Sequence, residues 1–149
     1  MSLRSVVAGR DTYFVSAGDS VRLVAEYMSE RRVGAVAVLE GKRVCGIVSE
    51  RDIMSKVVAK GLDPAKTKVS EVMSRELVVA EPDDSYEDAA RKMRQAGIRH
   101  LPVVEGDLLI GMISQRDLLQ VDLSAKDEEI RWLNAYIHFI PPGHEGGGA

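Results

Sequence analysis

Cysteine is nearly absent from this 149-residue chain: Cys45 stands alone, so no disulfide can form within the chain. A reducing compartment, the cytoplasm, is the expected location. Aromatic residues make up 5% of the sequence, which leaves Val, Ile, Leu, Ala and Met to fill a core. No apolar run approaches the roughly 18 residues that span a bilayer, and the N-terminus shows no signal-peptide pattern. Lys and Arg total 20 against 23 Asp and Glu, a net charge of −3, with no dense basic run. A nucleic-acid surface needs a cationic face, so neither nucleic acid nor membrane is an expected partner. A small anionic ligand stays open, because a few basic groups in a cleft can hold a phosphate.

Catalytic signatures are missing as well. There is no Gly-rich P-loop, no nucleophile elbow, no His-Glu-x-x-His and no GxGxxG. The three His residues and Cys45 are scattered, without metal-ligand spacing. No enzymatic activity, metal or catalytic cofactor is expected. Hydrophobic content of 45% and charged content of 29% suit a globular protein that buries a core.

What the chain does have is a repeat. Shifted by 65 residues, Arg4–Asp52 aligns with Val69–Asp117 without a gap, and 14 of 49 positions are identical. Unrelated sequences of this composition would share roughly three. Asp19-Ser20 falls on Asp84-Ser85, Met28 on Met93, Glu40-Gly41 on Glu105-Gly106, and GIVSERD (46–52) on GMISQRD (111–117).

Each copy reads as β-α-β-β-α. An extended piece, TYFV or LVVA, leads to a cap signal, AGDS or PDDS, and then to an amphipathic helix. Val21, Val24, Ala25 and Met28 recur at helical spacing, as do Tyr86, Ala89, Ala90 and Met93. A hairpin follows, turning at Glu-Gly-Lys or Glu-Gly-Asp, whose charges need only be solvated. A second helix starts at SERD or SQRD. Neither copy can cover both faces of its own three strands. The expected fold is α/β (α+β): two pseudo-twofold repeats packed sheet to sheet, with clefts where they meet. Residues 4–60 form repeat 1, 61–68 a linker, 69–122 repeat 2, 123–140 a C-terminal helix capped by Ser124 and Asp127, and 141–149 a flexible tail.

Ser-x-x-Asp can be no more than a capping box, in which Ser accepts from the N3 amide and the acid reaches back. The same spacing at Ser16–Asp19, Ser85–Asp88 and Ser124–Asp127 shows how little the four residues say alone. The copies at 49 and 114 differ in following a strand with a Gly three residues before the Ser, Gly46 or Gly111, which would leave room for a ligand. There Asp52 and Asp117 suit a vicinal diol such as ribose. Ser49 and Ser114 can donate to a phosphate, and Arg51 and Arg116 can balance its charge.

The doubled pattern resembles a tandem cystathionine-β-synthase (CBS) domain pair, a Bateman module, over nearly all of residues 4–120. The resemblance rests on hydrophobic-Gly-hydrophobic-hydrophobic-Ser-x-Arg-Asp in both copies, on VGAVAV and IRHLPVV before the hairpins, and on PDDS. It implies a regulatory module binding an adenosyl ligand such as AMP, ADP, ATP, S-adenosylmethionine or NAD. It places ribose on Asp52 and Asp117 and phosphate near Ser49 and Ser114. Adenine contacts are implied around Thr12-Tyr13 and Leu77-Val78, and at Val33 and Ile98. Arg99-His100, just ahead of Pro102, takes the position where many members meet phosphate. The first copy has Gly34-Ala35 instead, so the two clefts are not equivalent. Either the basic pair serves a shared central cleft, or one cleft binds tightly.

A homodimer and an unidentified effector protein are the implied partners. Helix 123–140 is a candidate reporter, with Ile130, Leu133, Asn134 and Ile137 on one face and Trp132 off it. The rival expectation is a ligand-independent dimerisation or scaffold module in which both Ser-x-Arg-Asp segments only cap helices.

Overall fold

The computed structural model describes residues 2–138. A one-turn helix, α1 (Leu3–Val7), precedes a short strand, β1 (Phe14–Ser16). Ser20 then ends the extended chain and starts α2 (Val21–Arg31), its hydroxyl accepting from the Leu23 N–H at 3.1 Å. Val21, Val24 and Met28 are the buried positions of α2, as their spacing predicts. The hairpin follows as β2 (Ala35–Glu40) and β3 (Arg43–Ser49), turning through Gly41 at a φ of 64°. A short helix, α3 (Glu50–Ile53), continues into a π-helical turn over Met54–Val58.

Repeat 2 follows the same order. A 3-10 turn spans Val69–Glu71, and α4 (Tyr86–Ala96) begins at Ser85 in a full capping box. β4 (His100–Glu105) and β5 (Leu108–Ser114) form its hairpin. The expected opening strand at 77–80 is reduced to a single parallel bridge from Ala80 to Val103, 65 residues on from the Val15–Val38 pair. The strands run β1-β2-β3-β5-β4 in one sheet order, and β3 meets β5 through one antiparallel pair, Arg43 opposite Leu108. The mixed α+β class and the doubled unit are as the sequence predicts.

The two copies exchange their opening segments. Val69 and Met73 enter the core that Val15, Val24, Met28, Val36, Val38 and Val48 of repeat 1 build. Ser74 pairs with Ile47 of β3 by two backbone hydrogen bonds, at 2.8 and 3.1 Å. In return α1 buries Leu3 and Val7, with Val7 lying on Gly111 of β5. The N–H groups of Leu3 and Arg4 reach the carbonyls of Asp84 and Pro82 at 2.9 Å each. Arg4 also donates to Glu105 at 2.6 Å, so that hairpin-turn charge is paired rather than merely solvated.

The contacts of the chain divide it after Gln115 into two units. The described residues beyond that point are helical, in α5 (Gln115–His138). The sequence predicts a break near 122 and a fresh start capped by Ser124 and Asp127. Neither is found, because the stretch holds no Gly or Pro and a polar side chain does not by itself end a helix. Ile130, Trp132, Leu133 and Tyr136 are exposed along it, and the Trp132 and Tyr136 rings stack at 6.0 Å. The expected tail 141–149 and Ile140 lie outside the described residues.

Candidate functional site

Ser49 closes β3 and caps α3. Its backbone N–H donates to Asp52 Oδ2 at 2.9 Å, and its Oγ accepts from the Asp52 N–H at 3.1 Å. The box at Ser85–Asp88 has both of these bonds, each at 3.1 Å, so this much is a helix cap. Further bonds hold Ser49–Asp52, just as the Arg91 guanidinium holds the other box at 2.6 Å from Asp88 Oδ1. The Ser49 hydroxyl also donates to Asp52 Oδ2 at 3.1 Å, and Lys56 Nζ lies 3.1 Å from Asp52 Oδ1. The same Lys56 Nζ donates to the Val72 carbonyl at 3.0 Å. Sequence reading passed over Lys56, although its i+4 spacing from Asp52 is the usual mark of a helical ion pair.

The residues ahead of each hairpin are tied to the residue after each motif serine. The Glu50 N–H donates to the Gly34 carbonyl at 2.9 Å, and the Gln115 N–H donates to the Arg99 carbonyl at 2.8 Å. Gly34 thus sits at the first strand-to-helix junction, and Arg99 at the corresponding backbone position of repeat 2. A Cβ on Gly34 would lie 3.6 Å from Glu50 Oε1 and 3.8 Å from His100 Cε1. His100 of repeat 2 therefore reaches the Gly34–Glu50 corner of repeat 1. The sequence places the basic pair before a hairpin but gives no hint of this meeting, nor of the acid at its side.

The remaining predicted residues divide clearly. Thr12 Oγ1 donates to the Ile110 carbonyl at 3.3 Å, crossing to repeat 2. Tyr13 packs edge-on to Tyr27 at 6.4 Å, with the Arg31 guanidinium 3.8 Å from the Tyr27 ring centre. Val33 packs on the first core and Ala35 is buried. Leu77, Val78 and Ile98 are half-buried, and Arg99 is exposed. Pro102 is fully buried, and its carbonyl accepts from the Ala80 N–H at 2.8 Å. Arg51 and Arg116 are exposed, whereas Ser114 and Asp117 are half-buried.

Gly46 and Gly111 do not open a path for ligand. A Cβ on Gly46 would lie 2.9 Å from both Met73 Cγ and the Ser74 carbonyl oxygen, and one on Gly111 would lie 2.7 Å from Val7 Cβ. The room each Gly leaves is filled by the opening segment of the other repeat. Cys45 donates its thiol to the Val38 carbonyl at 3.4 Å, and burial pushes its pKa up, as suits a small core group.

The CBS domain profile matches residues 4–59 and 69–124, the two copies of the repeat. The chain belongs to the CBS domain family. It is 40% identical over 104 residues to the CBS domain-containing protein YhcV of Bacillus subtilis, covering 70% of this chain and 74% of YhcV. It is 33% identical over 124 residues to the mitochondrial CBS domain-containing protein CBSX3 of Arabidopsis thaliana, covering 80% of this chain. The chain spans only 60% of CBSX3. Among solved structures it resembles the CBS domain protein PAE2072 of Pyrobaculum aerophilum, complexed with AMP, at a TM-score of 0.72 and 29% identity. That match covers 78% of this chain and 89% of PAE2072.

The exchange of α1 and the 69–74 segment packs a piece of each CBS domain against the other. Among the described residues no group of three or more His, Cys, Asp and Glu could hold a metal ion. Among them no helix is long and apolar enough to cross a membrane.

Proposed function

We propose that this CBS pair is a regulatory module that takes an adenosyl ligand (AMP, ADP, ATP, NAD or S-adenosylmethionine) in the cleft between its domains and signals by a conformational or oligomeric change. The observation that carries this reading is the 2.8 Å bond from the Gln115 N–H to the Arg99 carbonyl. It anchors the basic pair Arg99-His100 to the end of the strand that carries Ser114. An exposed guanidinium and an imidazole can meet phosphate there. Asp117, in the first turn of α5, is the residue to which the family resemblance gives the ribose diol. The AMP complex of PAE2072, a relative of similar fold, supports the ligand class.

A ligand bridging two domains favours whichever relative arrangement of them it binds better, and that difference is what a partner reads. The partners in this reading are a second copy of the chain and an effector protein. Catalysis is no part of it: the carboxylates hold hydroxyls and move no protons. Isothermal titration with AMP, ATP, NAD and S-adenosylmethionine tests the proposal. Saturable binding of at least one is expected; no binding by any at about millimolar concentration contradicts it.

The scaffold reading draws on a specific observation too, since the boxes at Ser49 and Ser85 share the same two capping bonds. It predicts dimerisation that no nucleotide alters.

A further inference from the structure

The two strand-to-helix junctions are built alike and charged differently. In each, the residue after the motif serine donates its N–H to a carbonyl just ahead of the hairpin, Glu50 to Gly34 at 2.9 Å and Gln115 to Arg99 at 2.8 Å. Glu50 and Gln115 correspond in the repeat, as do Gly34 and Arg99. The second junction thus joins a cation to a neutral amide. The first joins a carboxylate to a residue with no side chain.

The Glu50 side chain lies back over Gly34. A Cβ on Gly34 would be 3.6 Å from Glu50 Oε1 and 3.8 Å from His100 Cε1, so carboxylate and imidazole border one small space. His100 brings the second domain's basic pair to that space, and Glu50 is exposed, so its charge meets whatever enters. Arg51, next along α3, does not offset that charge in place, because successive helix residues do not share a face. A phosphate accepting from His100 therefore stands beside a negative charge. Repulsion between like charges at such short range survives screening by salt. The basic pair can offset the charge of one phosphate; Glu50 opposes the charge of any more.

We propose that Glu50 is a specificity-determining residue that turns the site against polyphosphates, so that its ligand is an adenosyl compound with one phosphate or none, AMP or S-adenosylmethionine, rather than ADP, ATP or NAD. The proposal rests on the adenosyl-ligand reading above. The Glu50–Gly34 hydrogen bond uses main-chain atoms alone, so an amide at position 50 keeps the junction and removes only the charge. The second domain carries that arrangement already, in Gln115.

The test is calorimetric titration of the full chain with AMP, S-adenosylmethionine, NAD and ATP. In the wild type, AMP or S-adenosylmethionine is expected to bind at least about tenfold more tightly than ATP and NAD. Glu50→Gln is expected to narrow that gap about tenfold, whereas Glu50→Asp keeps the charge and the gap. Wild-type binding of ATP or NAD as tight as that of AMP and S-adenosylmethionine overturns the filter. So does a Glu50→Gln chain that binds all of them more weakly but keeps the wild-type gap within about twofold, the mark of a merely structural residue. Either result leaves the adenosyl reading standing. No binding by the wild type of any of the four overturns both.

Discussion

Met73 fills the space that a side chain on Gly46 would need: a Cβ there would lie 2.9 Å from Met73 Cγ and equally close to the Ser74 carbonyl oxygen. A flexible thioether can yield, but the Ser74 backbone is fixed by its two bonds to Ile47. Gly46→Ala is therefore expected to lower the unfolding free energy by about 1–3 kcal/mol, the usual range for overpacking a filled core. Urea denaturation measures it. A loss below about 0.5 kcal/mol would show that the 69–74 segment shifts freely on β3.

Arg32 ends α2 in the left-handed region at a φ of 54°, where the repeat-related helix α4 has Gly97 at 66°. An L side chain pays about 1 kcal/mol for that conformation and glycine does not. Arg32→Gly is expected to raise the urea midpoint by the equivalent of about 0.5–1 kcal/mol, after the added flexibility of the unfolded chain is deducted.

Acid should weaken the second domain through its capping carboxylates. Asp84 lies below the ordinary carboxylate value of 3.8 because the Glu81 N–H bonds to it and Lys92 pairs with it. Asp88 is lowered from the same value by the Ser85 N–H and by Arg91. A depressed native pKa means the unfolded chain takes up the proton first. The stability from these groups is present above pH 3.8 and is lost as pH falls through their native values. Urea midpoints should hold level from neutral pH to about 5 and then drop. In Asp84→Asn the midpoint should be lower at neutral pH and the acid slope shallower; an unchanged slope contradicts the assignment.

Much of the fold was legible because duplication checks itself. A cap, an apolar stripe and a hairpin turn that recur 65 residues apart are hard to mistake, and Ser20, Ser85, Gly41 and Gly106 all stand where the pattern puts them. What failed were features set by distant neighbours, and one polar signal too weak to end a helix. The opening strand of the second copy shrinks to Ala80 alone, and α5 runs through Ser124 because nothing local stops it. Gly46 looked like an open approach only while Met73, 27 residues on, was out of sight.

At the candidate site, the roles of Ser49 and Asp52 as a cap were readable from spacing, and the structure adds who else holds them. Lys56 could have been found from its i+4 relation to Asp52; its second anchor on Val72 could not. The meeting of His100 with Gly34 and Glu50 joins residues far apart in the chain through the packing of the two domains, which no local pattern encodes.

The central claim, that the pair of CBS domains senses an adenosyl ligand through its second strand-to-helix junction, is most directly tested by ligand-dependent unfolding of the wild type and Asp117→Ala. A ligand that binds only the native state at about 100 times its dissociation constant adds about 2.7 kcal/mol to the unfolding free energy. The account predicts a gain of that order for the wild type with AMP or a related nucleotide, and its disappearance in Asp117→Ala. Equal unfolding free energies with and without nucleotide in the wild type, or an undiminished gain in Asp117→Ala, would contradict it.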